Sequence, residues 1–130
     1  MQNKYGFGKA VDLSFDAALA RVTEELQKEG FGILTEIDVA ATLKKKLNQD
    51  LPPYRILGAC NPPLAYRALS AEPTIGLLLP CIVVVRQDDQ GGVHVDFMDP
   101  IGVMNLVDRP EVESLAKEVR QRLDRVLANL

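Results

Sequence analysis

Residues 56–85 constrain the fold of this chain more than any other segment does. They include both cysteines, half of the prolines and the uncharged run of residues 73–85. Residues 76–86 read as a strand with apolar side chains on both sides, because Leu78, Ile82 and Val84 alternate with other apolar residues. A strand of this kind needs cover on both faces of its sheet.

The composition is that of a globular protein. With 130 residues, 47% hydrophobic and 25% charged, the chain is expected to form one domain over residues 1–130. The net charge of −3 provides no general attraction to nucleic acid or to anionic membranes. Residues 73–85 are too few to cross a bilayer, and the first residues lack the apolar core of an export signal. We therefore expect a cytoplasmic protein with reduced cysteines.

Two long amphipathic helices are predicted from apolar residues spaced three and four apart. The first follows Ser14, a good N-cap residue, and carries its apolar stripe through residues 15–26. The second is expected to start after Asp108 as N-cap, with Pro110 in its first turn and a stripe through residues 112–130.

The remaining segments predict a sheet. Short helices are expected after Asp38 and after Asn61, and Asp99-Pro100 is interpreted as a turn. The resulting order predicts an α+β fold with an antiparallel sheet of about five strands and the two long helices on one face. The predicted strands are residues 5–12, 31–37, 54–59, 76–86 and 93–98.

The second face of this sheet needs a cover of its own. Leu78, Ile82 and Val84 would project away from the long helices. Because soluble monomers rarely expose large apolar patches, we expect a homodimer in which these three residues form the interface. The alternative is that the short helix after Asn61 folds over this face.

The cysteines are the first candidates for chemistry. Cys60 directly precedes the predicted cap Asn61, and the N-terminus of a helix favours the thiolate form of a nearby cysteine. Cys60 would then be a reactive thiol, with Cys81 as its resolving partner. The alternative is that both are small buried hydrophobic residues, as free cysteines very often are. Their spacing matches no Cys-x-x-Cys redox motif.

Glu36 and His94 are weaker candidates for chemistry than the cysteines. Glu36 closes an apolar strand and is expected to project toward Cys60, either as a general base or as a carboxylate in a salt bridge. A metal site needs three or four ligands, and the soft candidates are Cys60, Cys81 and the only histidine, His94. His94 and Asp96 have only the spacing of any solvent-facing side of a strand, so we predict no metal site. The sequence identifies no cofactor.

Three short segments carry a resemblance to a known family. GACNP (residues 58–62), LPC (79–81) and DP (99–100) resemble the bacterial and archaeal domain-of-unknown-function family 302. The likeness covers nearly the whole chain. It implies a compact α+β fold similar to the TATA-binding-protein-like β-α-β(4)-α arrangement, it implies homodimers, and it implies no established activity. In this family a polar residue often follows the second cysteine, where Ile82 stands here.

These observations favour a homodimeric binding domain over an enzyme. We expect it to hold a small ligand or a protein partner near the turn at residues 60–62, with Glu36, Cys60, Asn61 and Cys81 as the ligand-binding residues. One alternative is a thiol-dependent enzyme or sulfur carrier that uses Cys60 with Cys81. Another is a purely structural dimerisation module.

Overall fold

The computed structural model describes all 130 residues. It contains five β-strands, five α-helices and one 3-10 helix. No helix combines the length and the apolar character needed to cross a membrane. In chain order the elements are β1 (Gly6–Val11), α1 (Phe15–Lys28), β2 (Gly32–Asp38), α2 (Val39–Leu47), β3 (Tyr54–Cys60), α3 (Pro62–Ala71), the 3-10 helix (Pro73–Leu78), β4 (Cys81–Gln87), β5 (Val93–Met98), α4 (Pro100–Met104) and α5 (Pro110–Ala128).

The strands form one sheet in the order β1-β5-β4-β3-β2, and every neighbouring pair is antiparallel. The inner face of this sheet packs under α1 and α5. The other face, which we call the open face, carries the apolar side chains of Ile37, Ile56, Ile82 and Val84 on β2, β3 and β4. The predicted α+β fold, with an antiparallel sheet and the two long helices on one face, is confirmed.

Helix α1 forms for the reasons that its sequence indicates. The backbone N–H of Ala17 donates to Ser14 Oγ at 3.1 Å, which caps the first turn. Ala18, Val22 and Leu26 lie on one side of the helix and are fully buried against the sheet. Gly30 has a φ of 86°, a conformation that glycine adopts without strain, and it turns the chain into β2.

The interior consists of two apolar clusters rather than one. The first lies between the inner face of the sheet and the helices α1 and α5. The second lies beyond the end of the sheet, where α3, the 3-10 helix, α4 and the first half of α5 pack together: Leu64, Ala68, Ile75, Met104, Val112, Leu115 and Ala116. Val119 of α5 contacts both clusters, so the two meet along this helix.

Polar contacts of Arg120 fix α5 against the sheet and against α4. Its guanidinium lies 3.7 Å from the centroid of the Phe7 ring on β1. The same side chain forms ion pairs with Asp99 and Asp124, each at 2.9 Å. Asp99 is also the N-cap of α4, so Arg120 links β1, α4 and α5.

The predicted strand over residues 76–86 is wrong in its first half. Residues 73–78 form the 3-10 helix, and β4 begins only at Cys81. The reason is Pro80, because proline has no N–H to donate and β4 is paired on both sides. Leu78 therefore packs against the second cluster instead of lying beside Ile82 and Val84 on the open face.

Two predicted chain features near the C-terminus are also wrong. Asp99-Pro100 is not a simple turn, because Asp99 Oδ1 accepts the N–H of Ile101 at 3.0 Å and caps the short helix α4. Asp108 does not cap α5. The cap position is Arg109, which makes no side-chain cap hydrogen bond. Pro110 already fixes the first turn, so α5 starts without that bond.

Gly58 allows the segment before β4 to lie directly on β3. A Cβ at this position would lie 2.6 Å from Thr35 Cγ2 and 2.7 Å from Pro80 Cγ. Real side chains do not approach so closely, so only glycine lets Pro80 pack here.

We predict that Gly58→Ala lowers the free energy of unfolding by about 1–3 kcal/mol, because the methyl group overpacks the contact with Pro80. Denaturant unfolding measures this change. The matched control is Gly32→Ala on the adjacent strand β2, where an added Cβ meets nothing within 4 Å. Equal unfolding midpoints for the two variants would contradict the prediction.

Candidate functional site

A cavity of about 280 Å³ lies where the two apolar clusters meet. Its walls come from the ends of β3 and β4 and from α3, the 3-10 helix, α4 and α5. Of its 19 lining residues, 16 are hydrophobic and none is charged. They are Phe31, Leu34, Ala59, Cys60, Asn61, Leu64, Ala65, Ala68, Leu69, Ile75, Leu79, Pro80, Cys81, Pro100, Met104, Val112, Leu115, Ala116 and Val119.

Both cysteines line this cavity. Cys60 is the last residue of β3 and Cys81 is the first of β4, and Ala59 pairs directly with Cys81 in the antiparallel register. Cys60 is half-buried and Cys81 is buried, and both are free thiols. Burial raises the pKa of Cys81 from 9.0 to about 11, and the nearby Cys60 contributes to the shift. Cys81 is therefore protonated at neutral pH.

Asn61 also lines the cavity, and its amide makes two hydrogen bonds within the protein. The residue is only 7% exposed. Its Oδ1 accepts the N–H of Leu64 at 3.4 Å and caps α3, as the sequence predicts. Its Nδ2 donates to the carbonyl oxygen of Glu29 at 3.2 Å. Asn61 thus joins the end of α1 to the start of α3.

The carbonyl of Glu29 receives a second donor from α5. Arg122 Nη1 donates to this oxygen at 2.8 Å, and the Arg125 guanidinium binds the Glu29 carboxylate. The hydrogen bond from Arg125 lowers the pKa of Glu29. These contacts hold α1, α3 and α5 together beside the cavity.

Glu36 lies away from the cavity. It pairs with Arg55 on the neighbouring strand β3, and Arg55 also contacts Asp38 at 3.3 Å. Of the four residues expected to bind a ligand, the structure brings together Cys60, Asn61 and Cys81 and leaves Glu36 outside. The salt-bridge alternative for Glu36 is the one that the structure shows.

His94 is also remote from the cysteines. Its Nε2 lies 2.8 Å from Asp88 Oδ2 at the β4–β5 hairpin. The hydrogen bond with His94 is the largest contribution that lowers the pKa of Asp88. No group of three or more histidine, cysteine or acidic side chains is placed to hold a metal ion.

Several lining residues were not recognised as site residues from the sequence. Leu34 and Leu69 line the cavity and are 69% and 41% exposed, so they mark its mouth. Leu34 lies at an irregularity in the β2–β3 pairing, between Ile33 and Thr35, which no pattern predicted. Val112 and Leu115 belong to the predicted apolar stripe of α5, but the stripe does not show that part of it borders a void.

Comparisons with known proteins identify the family but no activity. A search of curated proteins finds no match. Among solved structures, the chain is similar to the "uncharacterized conserved protein DUF302 from Bacillus stearothermophilus". The two share 29% sequence identity, with a TM-score of 0.88 over 95% of this chain and 96% of that chain. The family model "Domain of unknown function DUF302" matches residues 7–130. This chain therefore belongs to the DUF302 family, as the resemblance of its GACNP and LPC segments predicts.

Proposed function

We propose that this protein binds a small apolar molecule in the cavity beside Cys60, Asn61 and Cys81. The observation that carries the proposal is the cavity of about 280 Å³, with 16 hydrophobic residues among the 19 that line it. Small-molecule sites are typically concave, mostly apolar and upward of about 300 Å³ in volume. This cavity is at the lower end of that range, so its ligand is small.

An empty apolar void of this size is costly in a close-packed protein. Side chains around it lack dispersion contacts on one side and expose apolar surface to water at the mouth of the cavity. An apolar ligand restores those contacts and leaves water at the same time. A protein without a ligand to bind would gain stability from larger side chains at Ala68 or Ala116, both of which line the cavity.

The lining also restricts the chemistry of the ligand. No charged residue faces the cavity, and the amide of Asn61 already binds Leu64 and Glu29. A charge buried here would be unpaired, which is strongly unfavourable. The bound part of the ligand is therefore uncharged.

The test is a cavity-filling substitution. We expect Ala68→Leu to fold normally and to lose binding of uncharged compounds such as indole and butylbenzene, because the added side chain occupies the cavity. Binding is measured by titration calorimetry and by the rise in Tm that a ligand causes. The control is Ala20→Leu, the same substitution at an exposed position of α1. Identical responses of wild type and both variants would contradict the proposal.

A thiol-dependent role is the second candidate, and it rests on the position of Cys60 at the cavity wall. Cys60 is partly accessible, whereas Cys81 is buried and protonated at neutral pH. A nucleophile must be a thiolate that the substrate can reach. In this candidate function the protein is an enzyme or a sulfur carrier. Cys60 is its nucleophile, and Cys81 reacts only after Cys60.

Alkylation by iodoacetamide tests this order. In Cys60→Ser, where Cys81 is the only thiol, we expect alkylation at pH 8 to be at least about tenfold slower in the native than in the denatured state. Burial, the larger cause of the raised pKa of Cys81, remains in this variant, whereas the smaller contribution of Cys60 is removed. Cys81→Ser, the matched protein with Cys60 alone, is expected to react in its native state. Mass spectrometry follows both rates, and fast native alkylation of Cys81 would contradict the assignment.

We also propose that the protein is a homodimer joined through the open face of the sheet. Ile37 is 46% exposed there, next to the partly exposed Ile56 and Val84. Arg86 and Asp96 lie on the same face and form an ion pair at 2.9 Å. A two-fold interface must be self-complementary, and a face with apolar residues and both charge signs meets that requirement.

A charge on the open face tests the dimer. We expect Val84→Glu to convert a dimer into a monomer, because a dimer would bury the carboxylate in its apolar interface. Light scattering after size-exclusion chromatography measures the mass. The control is Leu106→Glu, which places the same charge at an exposed leucine away from the sheet. A wild-type protein that is monomeric at all concentrations would overturn the proposal, and a dimer without any ligand would favour the purely structural module.

A further inference from the structure

We propose that the ligand is a straight-chain amphiphile of about eight to ten carbon atoms, inserted tail first with its polar head outside the cavity. This inference rests on the proposed binding function and adds the chemical class of the ligand. It is carried by the difference between the buried and the exposed residues that line the cavity.

The part of the cavity that is lined by the 3-10 helix, α4 and the start of α5 is buried and apolar. Ile75 is 2% exposed, and Met104 and Val112 beside it are also buried. None of these side chains carries a charge. A hydrocarbon chain end fits here without leaving any polar group unpaired.

The mouth has a different character. Leu34 and Leu69 line the cavity although both are exposed, Leu34 to 69% and Leu69 to 41%. A ligand confined to the interior would leave both leucines exposed. A chain that continues past them covers their apolar surface and carries its head into solvent, where a charge is hydrated. The exposed leucines therefore favour a chain with one polar end over a compact apolar ring.

The volume sets the length of the chain. An apolar cavity of about 150 Å³ accommodates one benzene molecule, which has six carbon atoms. On this scale a cavity of about 280 Å³ holds roughly ten carbon atoms. Each methylene that enters is expected to tighten binding about fourfold. Methylenes beyond the mouth add little.

Calorimetric titration with two homologous series tests the inference. The first series is the alkanoates from hexanoate to tetradecanoate and the second is the corresponding 1-alkanols, all below their critical micelle concentrations. We expect affinity to rise about fourfold per CH2 up to about ten carbons and then to level off. An alkanoate and an alkanol of equal length should differ by less than about fivefold, because the head of either lies in solvent. Decanedioate, whose second carboxylate would be buried, should bind at least about 100-fold more weakly than decanoate.

Two variants locate the mouth. Leu34→Glu should weaken decanoate more than 1-decanol, because the new carboxylate repels the head group of the acid alone. The matched control is Leu106→Glu, because Leu106 is an exposed leucine like Leu34 but does not line the cavity. Decanoyl-N-acetylcysteamine, an uncharged thioester, represents an acyl chain attached to a carrier. Tighter binding of this compound than of decanoate would assign the chain to a carrier instead of a free acid.

The outcomes distinguish a failure of this inference from a failure of the proposed binding function. If indole and butylbenzene bind and Ala68→Leu abolishes their binding, the cavity is a ligand site. If decanedioate then binds as well as decanoate, or if affinity does not change with chain length, the amphiphile inference is overturned while the binding function stands. If none of these compounds binds to the wild-type protein, both proposals fail.

Discussion

The end of the β3–β4 pairing is the constraint on which the site depends. The ladder between these strands stops at Ala59 and Cys81, because Pro80 has no N–H with which to extend it. Gly58 admits the proline ring against β3, where any other residue would collide with it. Beyond this point β3 leads into α3, and β4 is preceded by the 3-10 helix. The space between them is closed by α4 and α5, and the cavity is the part of that space that no side chain fills.

The polar junction around Glu29 supports the same region from outside. Its carbonyl oxygen accepts hydrogen bonds from Asn61 and Arg122, and its carboxylate binds Arg125. A carbonyl shared by two donors on different elements ties the end of α1 to α3 and α5. This explains why the Asn61 amide is held in a fixed position beside the cavity. Its conspicuous place between Cys60 and Pro62 reflects a structural role in addition to the capping that its sequence position indicates.

Local patterns allowed much of the fold to be predicted, and long-range contacts explain most of what was missed. The α1 stripe, the caps at Ser14, Asp38 and Asn61, and the strand Val93–Met98 depend on residues close in sequence, and all appear as expected. The pairing of Glu36 with Arg55 and the irregularity at Leu34 depend on the register between strands, which one sequence does not reveal. The sequence left open whether Cys60 and Cys81 lie close together, and the void beside them depends on how α3, α4 and α5 pack.

The apolar segment that first predicted a dimer turns out to have two separate roles. Its first half, including Leu78, Leu79 and Pro80, belongs to the second cluster or to the cavity wall. Only the second half is a strand, and there Ile82 and Val84 face outward while Val83 and Val85 are buried. The first half of this segment is therefore apolar because it packs in the second cluster and the cavity wall, and the second half is apolar because it forms β4. Because the cavity and the open face share no side chain, the proposed ligand site and the proposed dimer interface can be altered by separate substitutions.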